Sequence, residues 1–178
     1  MKDIKNLYCI IGKSGVGKTT AVDRLSEECG YKVLKSYSTR LPRHKDDVDH
    51  TFISLKEYAD LKNKIACCEF NGNFYAATAE QVEESNLYVI DCHGVKELKE
   101  NYKGDKKIIV IQLTATIEEC LNRMLKRGDS EDKAWDRLKH DYTAFKDADE
   151  LSDYKIPSDS SMAVVSAIKH IIDYEEVK

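Results

Sequence analysis

The chain has 178 residues, of which 42% are hydrophobic, and its formal net charge is −4. The length predicts one domain, and only 2 Pro and 8 Gly disfavour a collagen-like or largely disordered chain. Mild acidity disfavours a dedicated nucleic-acid-binding protein, because binding a phosphate backbone requires a basic surface. No apolar run approaches the roughly 20 residues of a membrane span, and the polar first residues do not resemble a secretory signal. We therefore expect a cytoplasmic protein with no nucleic-acid or membrane partner.

Short apolar runs alternate with amphipathic segments along most of the chain. Strands are predicted at Leu7–Ile11, Lys32–Lys35, Leu87–Ile90 and Ile108–Ile111. Helices are predicted over Thr19–Cys29, from about Gly94, and where apolar residues recur at helical spacing in 117–125, 134–145 and 164–172. Alternating strands and helices predict an α/β fold, with a mostly parallel sheet and helices on both faces.

Residues from about 39 to 84 interrupt this alternation. Short strands are predicted at His50–Ser54, Ile65–Phe70 and Asn73–Ala76 around a helical turn at Leu55–Leu61, and Asn71-Gly72 is a hairpin-turn signal. We predict a small β-rich lobe over about 39–84, inserted into a core formed by 1–38 and 85–178.

A phosphate-binding motif follows the first predicted strand. Residues 12–19 read GKSGVGKT, which matches GxxxxGK[ST] in full and opens a predicted helix, as a P-loop requires. In such a loop the backbone N–H groups converge on phosphate oxygens, and the helix N-terminus favours negative charge. We expect Lys18 between the β- and γ-phosphates and the Thr19 hydroxyl on Mg²⁺. The residues predicted to bind the nucleoside triphosphate are Gly12, Lys13, Ser14, Gly15, Val16, Gly17, Lys18, Thr19 and Thr20.

One class of P-loop protein is disfavoured by a missing motif. The segment 91–94 fits the DxxG pattern of GTPases, but it is short and common. A GTPase would also need an NKxD-type base-reading motif, and the sequence contains none.

Two arginines stand close together in the segment SYSTRLPR at 36–43. Pro42 favours an extended backbone, so Arg40 and Arg43 present two guanidinium groups three residues apart without a helix. The planar fork of a guanidinium binds a phosphate bidentately, which a lysine ammonium cannot do. This segment therefore predicts a second phosphate site.

Four segments, in order, resemble the guanylate kinase family. Residues 36–43 resemble S-x-T-T-R-x-P-R, and 50–54 (HTFIS) resemble the Y-x-F-V/I-S that follows it. Residues 69–75 resemble E-[VF]-x-G-N-Y-Y, 89–96 resemble D-I-D-x-Q-G-x-K, and 123–128 with Arg137 resemble the R-x-x-x-R-G…R lid and helix. The resemblance covers the chain from Ile10 to about Ile172.

The resemblance implies a nucleoside monophosphate kinase. ATP would be the phosphoryl donor, Mg²⁺ the cofactor, a nucleoside monophosphate the acceptor, and the protein a monomer or homodimer. In-line phosphoryl transfer depends on positioning and charge stabilisation, so no general base is assigned. The implied catalytic residues are Lys18, Arg123, Arg127 and Arg137, the last three from a lid at about 126–136 and its flanking helices. The implied acceptor-binding residues are Ser36, Arg40, Arg43, His50, Tyr75 and Asp91.

The residues that read guanine in the family are altered here. The glutamate falls on Ala66 and the assisting hydroxyl on Ala77, while Glu69, three residues along a strand, points to the opposite face. Losing groups that hydrogen-bond a base should relax or redirect selectivity. The acceptor is therefore GMP or dGMP, or another nucleoside monophosphate.

Two other functions stay open at this stage. A ribose bisphosphokinase-like enzyme, which would phosphorylate a sugar phosphate, also lacks the guanine glutamate, and Asp49-His50 resembles that branch. A non-catalytic guanylate kinase-like binding module is the second alternative. Such modules typically lose the P-loop lysine, whereas Lys18 and Thr19 are intact.

Overall fold

The structure, a computed structural model, describes residues 4–42, 45, 47–70 and 72–178, which form nine strands and eight helices. The strands are β1 (Leu7–Ile11), β2 (Val33–Leu34), β3 (Tyr37–Ser38), β4 (Thr51–Phe52), β5 (Lys64–Phe70), β6 (Asn73–Thr78), β7 (Leu87–Val89), β8 (Ile108–Thr114) and β9 (Tyr154–Pro157). The helices are α1 (Lys18–Cys29), α2 (Leu55–Asp60), α3 (Ala79–Glu84), α4 (Cys92–Asn101), α5 (Ile117–Lys126), α6 (Glu131–Ala144), α7 (Ala148–Leu151) and α8 (Ser161–Glu175).

The larger sheet has five strands in the order β2-β7-β1-β8-β9, and every pair is parallel. All five residues of β1 are buried, because successive side chains point to opposite faces and helices cover both. Tyr8 and Ile10 pack into a core with α1, α5, α6 and α8. Leu7, Cys9 and Ile11 pack into a second core with α3, α4 and α7. The predicted α/β fold, with a mostly parallel sheet covered on both faces, is confirmed.

Strand β9 was not predicted from the sequence. It lies at the edge of the larger sheet, beside β8, and its burial is partial because Ile156 alone is buried. The strand also contains an exposed lysine and ends in a proline, and a proline is tolerated in a strand at the edge of a sheet. A strand of this kind carries no hydrophobic run for a sequence pattern to detect.

The smaller sheet has four strands in the order β4-β3-β6-β5. The β3/β6 and β5/β6 pairs are antiparallel, and β3/β4 is parallel. The sheet begins at Tyr37, two residues before the predicted start of the lobe, and its last strand ends at Thr78. Gly72, with φ 72°, lies in the β5–β6 turn, while Asn71, its predicted partner there, lies outside the described residues.

Two capping boxes define the short helices of this region. Ser54 and Glu57 cap the start of α2, and Thr78 and Gln81 cap the start of α3. In each box the hydroxyl of the N-cap residue accepts from the backbone N–H three residues later. The side chain of that later residue accepts in turn from the backbone N–H of the N-cap residue. Helix α3 was not predicted, since only Val82 of its six residues is buried.

Helix α4 covers the free edge of β5 and so joins the two sheets. The N–H of Cys67 donates to Glu97 Oε2 at 2.5 Å, and Asn101 Nδ2 donates to the carbonyl of Ile65 at 3.1 Å. These side chains satisfy backbone groups that an edge strand otherwise leaves open. Among the residues that the structure describes, no helix is both long and apolar enough to cross a lipid bilayer.

Candidate active site

The P-loop lies at the carboxyl end of the central strand β1 and leads into α1, whose N-cap is Gly17. Gly12, Gly15 and Gly17 have φ values of 146°, 77° and 101°, which residues other than glycine rarely adopt. A Cβ on Gly15 would stand 2.5 Å from the carbonyl oxygen of Cys120 in α5. The loop is therefore held in place by close backbone packing on α5, as well as by its φ values.

Lys18 is folded back over this loop. Its Nζ donates to the carbonyl oxygens of Gly12 at 2.5 Å and Lys13 at 3.1 Å, and it lies 5.9 Å from the ring centroid of Phe145. Burial lowers the pKa of the Lys18 ammonium to about 8, although the nearby Asp141 carboxylate acts in the opposite direction. The Lys18 ammonium is thus held against two backbone carbonyls of the loop.

An acidic residue from α6 binds the loop directly. The N–H of Ser14 donates to Asp141 Oδ2 at 2.5 Å, and Asp141 is 6% exposed. The sequence reasoning missed Asp141. A signal was present, because it follows Ala134 and Leu138 on the buried stripe of α6, where a carboxylate needs a partner.

Three of the predicted acceptor-binding residues, Ser36, His50 and Tyr75, meet beside the smaller sheet. Ser36 Oγ and His50 Nδ1 are 3.0 Å apart, and the rings of His50 and Tyr75 have centroids 5.3 Å apart in an edge-to-face arrangement. Tyr75 comes from β6, opposite Ser38 of β3. Residues separated by up to 39 positions in the chain therefore lie in contact with one another.

Arg40 lies beside this cluster with part of its guanidinium unused. Its Nη1 donates to Asp47 Oδ2 and to the carbonyl of Leu41, both at 2.9 Å. Its Nε and Nη2 are buried and have no hydrogen-bond partner anywhere in the described part of the chain. The guanidinium carbon stands 4.9 Å from the Phe52 ring centroid, and that ring is 6.2 Å from His50. Buried donors of this kind carry an energetic cost that a bound anion would remove.

Arg43, the second predicted guanidinium of this segment, lies outside the described residues.

Asp91 lies between the P-loop and the smaller sheet. It follows β7, which pairs in parallel with β1, so it reaches the same edge of the sheet as the P-loop. Its Oδ1 accepts from Gly94 N at 2.7 Å and caps α4, which therefore begins at Cys92, two residues before the predicted start. Burial raises the pKa of the Cys68 thiol to about 11, and the Asp91 charge adds to this shift.

Ala66 and Ala77, which the motif resemblance aligns with guanine-reading positions, are direct cross-strand partners. Ala66 of β5 stands opposite Ala77 of β6, and the next pair on the same face is Cys68 opposite Tyr75. Ala66 is 4% exposed and Ala77 0%. This face therefore carries two methyl groups, the Cys68 thiol and the Tyr75 side chain. Sequence reasoning did not single out Cys68.

The predicted lid arginines have different surroundings. Arg123 is engaged by the protein itself: Nη1 donates to the Val16 carbonyl at 3.2 Å and Nη2 to the Ser158 carbonyl at 2.5 Å. Arg127 is 56% exposed and binds Asp129 at 2.5 Å, and Arg137 is exposed on α6. Arg123 therefore supports the P-loop in this structure, while the other two side chains face solvent.

Helix α6 also touches the smaller sheet. The rings of Phe70, at the end of β5, and His140 have centroids 5.3 Å apart in an edge-to-face arrangement. His140 precedes Asp141, so adjacent residues of α6 contact the lobe and the P-loop.

These features define a P-loop nucleotide-binding protein, with the partly buried Arg40 beside a second, smaller sheet. A family model described as an AAA domain matches residues 9–145. The guanylate kinase of Prochlorococcus marinus subsp. pastoris is 32% identical over 149 residues, covering 77% of this chain and 80% of that protein. The guanylate kinase of Rhizobium johnstonii is 30% identical over 185 residues, covering 97% and 83%.

A solved structure agrees with these sequence matches. The guanylate kinase from Anaplasma phagocytophilum superposes with a TM-score of 0.69 at 24% identity, covering 98% of this chain and 88% of that one, which shows the shared fold. The chain belongs to the guanylate kinase family. This membership confirms the resemblance and the class of enzyme predicted from the sequence motifs.

Proposed function

We propose that this protein transfers the γ-phosphoryl group of ATP to a nucleoside monophosphate, with GMP or dGMP among its acceptors. The observation that carries the proposal is a pair of candidate anion sites: the P-loop with Lys18, and Arg40, whose buried Nε and Nη2 have no hydrogen-bond partner among the described residues. A kinase of this class has to hold two phosphorylated molecules at once. The guanylate kinase relatives support GMP as an acceptor.

Each anion site has a defined part in this reaction. Lys18 and the loop N–H groups would hold the donor phosphates, and Arg40 with Ser36, His50 and Tyr75 would hold the acceptor phosphate. Fixing both partners in line replaces much of the entropy cost of a bimolecular reaction. Positive charge near the transferring group stabilises the charge that develops there.

Mg²⁺ would be held by Thr19, which lies exposed in the first turn of α1 beside Lys18. No group of three or more His, Cys, Asp or Glu side chains in the described residues could hold a metal alone. This fits an ion bound together with the nucleotide, because Mg²⁺ keeps several waters and takes other ligands from phosphates. When bound, Mg²⁺ would help to neutralise the phosphate charge.

We infer that the lobe at about 39–84 and the lid at about 126–136 enclose the reactants. The contact between Phe70 and His140 supports this inference, because it joins the lobe to the helix that follows the lid. Enclosure would exclude water, which competes as a phosphoryl acceptor.

Base selection is the finer part of the proposal. The paired, buried Ala66 and Ala77 offer no donor or acceptor to a guanine edge, and burial keeps the Cys68 thiol protonated. A site without base-reading groups discriminates weakly among bases. We therefore propose that GMP is not the sole acceptor.

A screen of acceptors with ATP tests both parts of the proposal. Diphosphate formation is measured with each ribo- and deoxyribonucleoside monophosphate and with a phosphorylated ribose. We expect turnover with several monophosphates, and loss of turnover in Lys18→Ala. GMP turning over far faster than every other acceptor would refute relaxed selectivity. Turnover of the ribose phosphate alone would refute a nucleoside monophosphate acceptor in favour of the sugar-phosphate kinase. ATP binding without turnover of any acceptor would refute the kinase activity in favour of the binding module.

A further inference from the structure

Ser36 lies in the short link between the two sheets. Strand β2 ends at Leu34 in the larger sheet, and β3 begins at Tyr37 in the smaller one. The backbone carbonyl of Ser36 accepts from the N–H of Thr51 at 3.0 Å, which ties the link to β4. Ser36 is 7% exposed, and its Oγ is 3.0 Å from His50 Nδ1. The orientation of this one hydroxyl therefore matters at the place where the larger sheet meets the predicted acceptor-binding residues.

A buried tyrosine of the larger sheet, Tyr88 of β7, contacts Ser36 from the core. Tyr88 stands opposite Leu34 in the parallel β2/β7 pair. Burial alternates over Leu34, Lys35 and Ser36, as in an extended stretch, so Ser36 lies on the same face as Leu34, one step further along. The Tyr88 side chain forms a hydrogen bond with Ser36, and Tyr88 is 6% exposed. Tyr88 thus connects the core of the larger sheet to the Ser36–His50 contact.

The hydroxyl of Tyr88 is able to set the direction in which Ser36 donates. Burial raises the pKa of the Tyr88 hydroxyl above its usual value, so this group keeps its proton. A serine hydroxyl has one proton to donate and two lone pairs with which to accept. When Ser36 Oγ accepts from Tyr88, the serine proton points away from the core, towards His50 Nδ1. An anion bound on that side needs this proton, because lone pairs would repel it.

We propose that Tyr88 is a positioning residue for the acceptor, and that it holds the Ser36 hydroxyl as a donor towards the acceptor phosphate. The proposal rests on the proposed acceptor site beside the smaller sheet. Tyr88 acts through Ser36 and contacts no reacting atom. Without the Tyr88 hydroxyl, the Ser36 hydroxyl is free to rotate, and its proton is no longer directed at the phosphate. Because Ser36 also contacts His50, the same hydrogen bond restrains a second member of the site.

Steady-state kinetics of Tyr88→Phe tests this role, because the variant removes one oxygen atom and keeps the buried ring. GMP, or the fastest acceptor of the screen if GMP is not turned over, is varied at saturating ATP. The proteins compared are native protein, Tyr88→Phe, Ser36→Ala and the double variant. We expect Tyr88→Phe to raise KM for the acceptor about five-fold, since a hydrogen bond is worth about that factor. The value of kcat should change little, because the phosphate grip acts before and during transfer alike.

The double variant tests whether Tyr88 acts through Ser36. In the Ser36→Ala background, Tyr88→Phe should change KM by less than about two-fold, because the hydroxyl that it orients is gone. Equal increases of KM in both backgrounds would overturn the proposal. So would an unchanged KM in folded Tyr88→Phe, or a loss of kcat and thermal stability alone, which is the result expected of a purely structural residue.

Tyr102→Phe is the matched control. Tyr102 is also buried, at 8% exposure, and its hydroxyl is hydrogen-bonded to Glu83 and to the N–H of Lys106. It lies before the amino end of β8, at the edge of the larger sheet opposite the P-loop, so its variant should leave KM unchanged. Native protein that turns over no nucleoside monophosphate would refute the proposed function. Native turnover with an unchanged KM in Tyr88→Phe refutes the positioning role alone.

Discussion

Arg40→Lys separates the charge of Arg40 from its planar fork. The variant keeps a cation near Asp47 but removes Nε and Nη2, the buried donors without partners in the described residues. Each charge-assisted hydrogen bond to the acceptor phosphate is worth about 1.5–3 kcal/mol. Losing both should cost at least about 3 kcal/mol, which is a factor of about 100 or more in kcat/KM for the acceptor.

The assay is steady-state kinetics with the acceptor varied at saturating ATP. The dissociation constant for ATP should not change, because the P-loop is untouched. The nucleotide-free variant should unfold at nearly the native temperature, since Nε and Nη2 have no hydrogen-bond partner among the described residues. Arg24→Lys is the matched control, because Arg24 lies on α1 and pairs with Glu28 on the surface. A folded Arg40→Lys protein that keeps kcat/KM within about three-fold of native would refute this reasoning.

Three further predictions follow from the loop and the core. Burial lowers the pKa of Lys18 to about 8, so the ammonium is lost above that pH and the ATP affinity of the native protein should fall. Calorimetry across pH 7–9.5 measures the affinity, and a flat profile would contradict this prediction. Gly15→Ala should abolish ATP binding, because the new Cβ would meet the Cys120 carbonyl oxygen. Gly72→Ala is the control, since Gly72 has a similar φ but lies in open space: it should cost about 1–2 kcal/mol of unfolding free energy and leave ATP binding intact. Hydrogen bonds from two lysines and a tyrosine lower the pKa of Glu175 to about 2, so the Glu175 carboxylate stabilises the fold fully above about pH 4.5 and loses this effect towards pH 2. In chemical unfolding at a series of pH values, the unfolding free energy of Glu175→Gln should fall less steeply with acid than that of native protein. Equal slopes would exclude this role.

Local chemistry made the donor site and the main sheet predictable. The P-loop is contiguous, so its glycines, Lys18 and the flanking strand and helix can be recognised without knowing any distant contact. Buried parallel strands such as β1 and β8 are continuous apolar runs for the same reason. The acceptor segment was also recognisable, because its arginines lie three residues apart in an extended stretch.

Contacts between distant parts of the chain needed the tertiary structure. The bond from Ser14 to Asp141 joins residues 127 positions apart, and no local pattern specifies which side chain of α6 reaches the loop. Strand register placed Ala66 against Ala77, and packing left Nε and Nη2 of Arg40 buried without a partner in the described residues.

The sequence by itself determined the P-loop and predicted a second phosphate site, because the groups of both lie in short, local motifs. Only the tertiary structure decided which distant side chains contact those groups, and which strand positions stand opposite each other. Both depend on long-range packing, which sets the distances between side chains that the chain order leaves far apart.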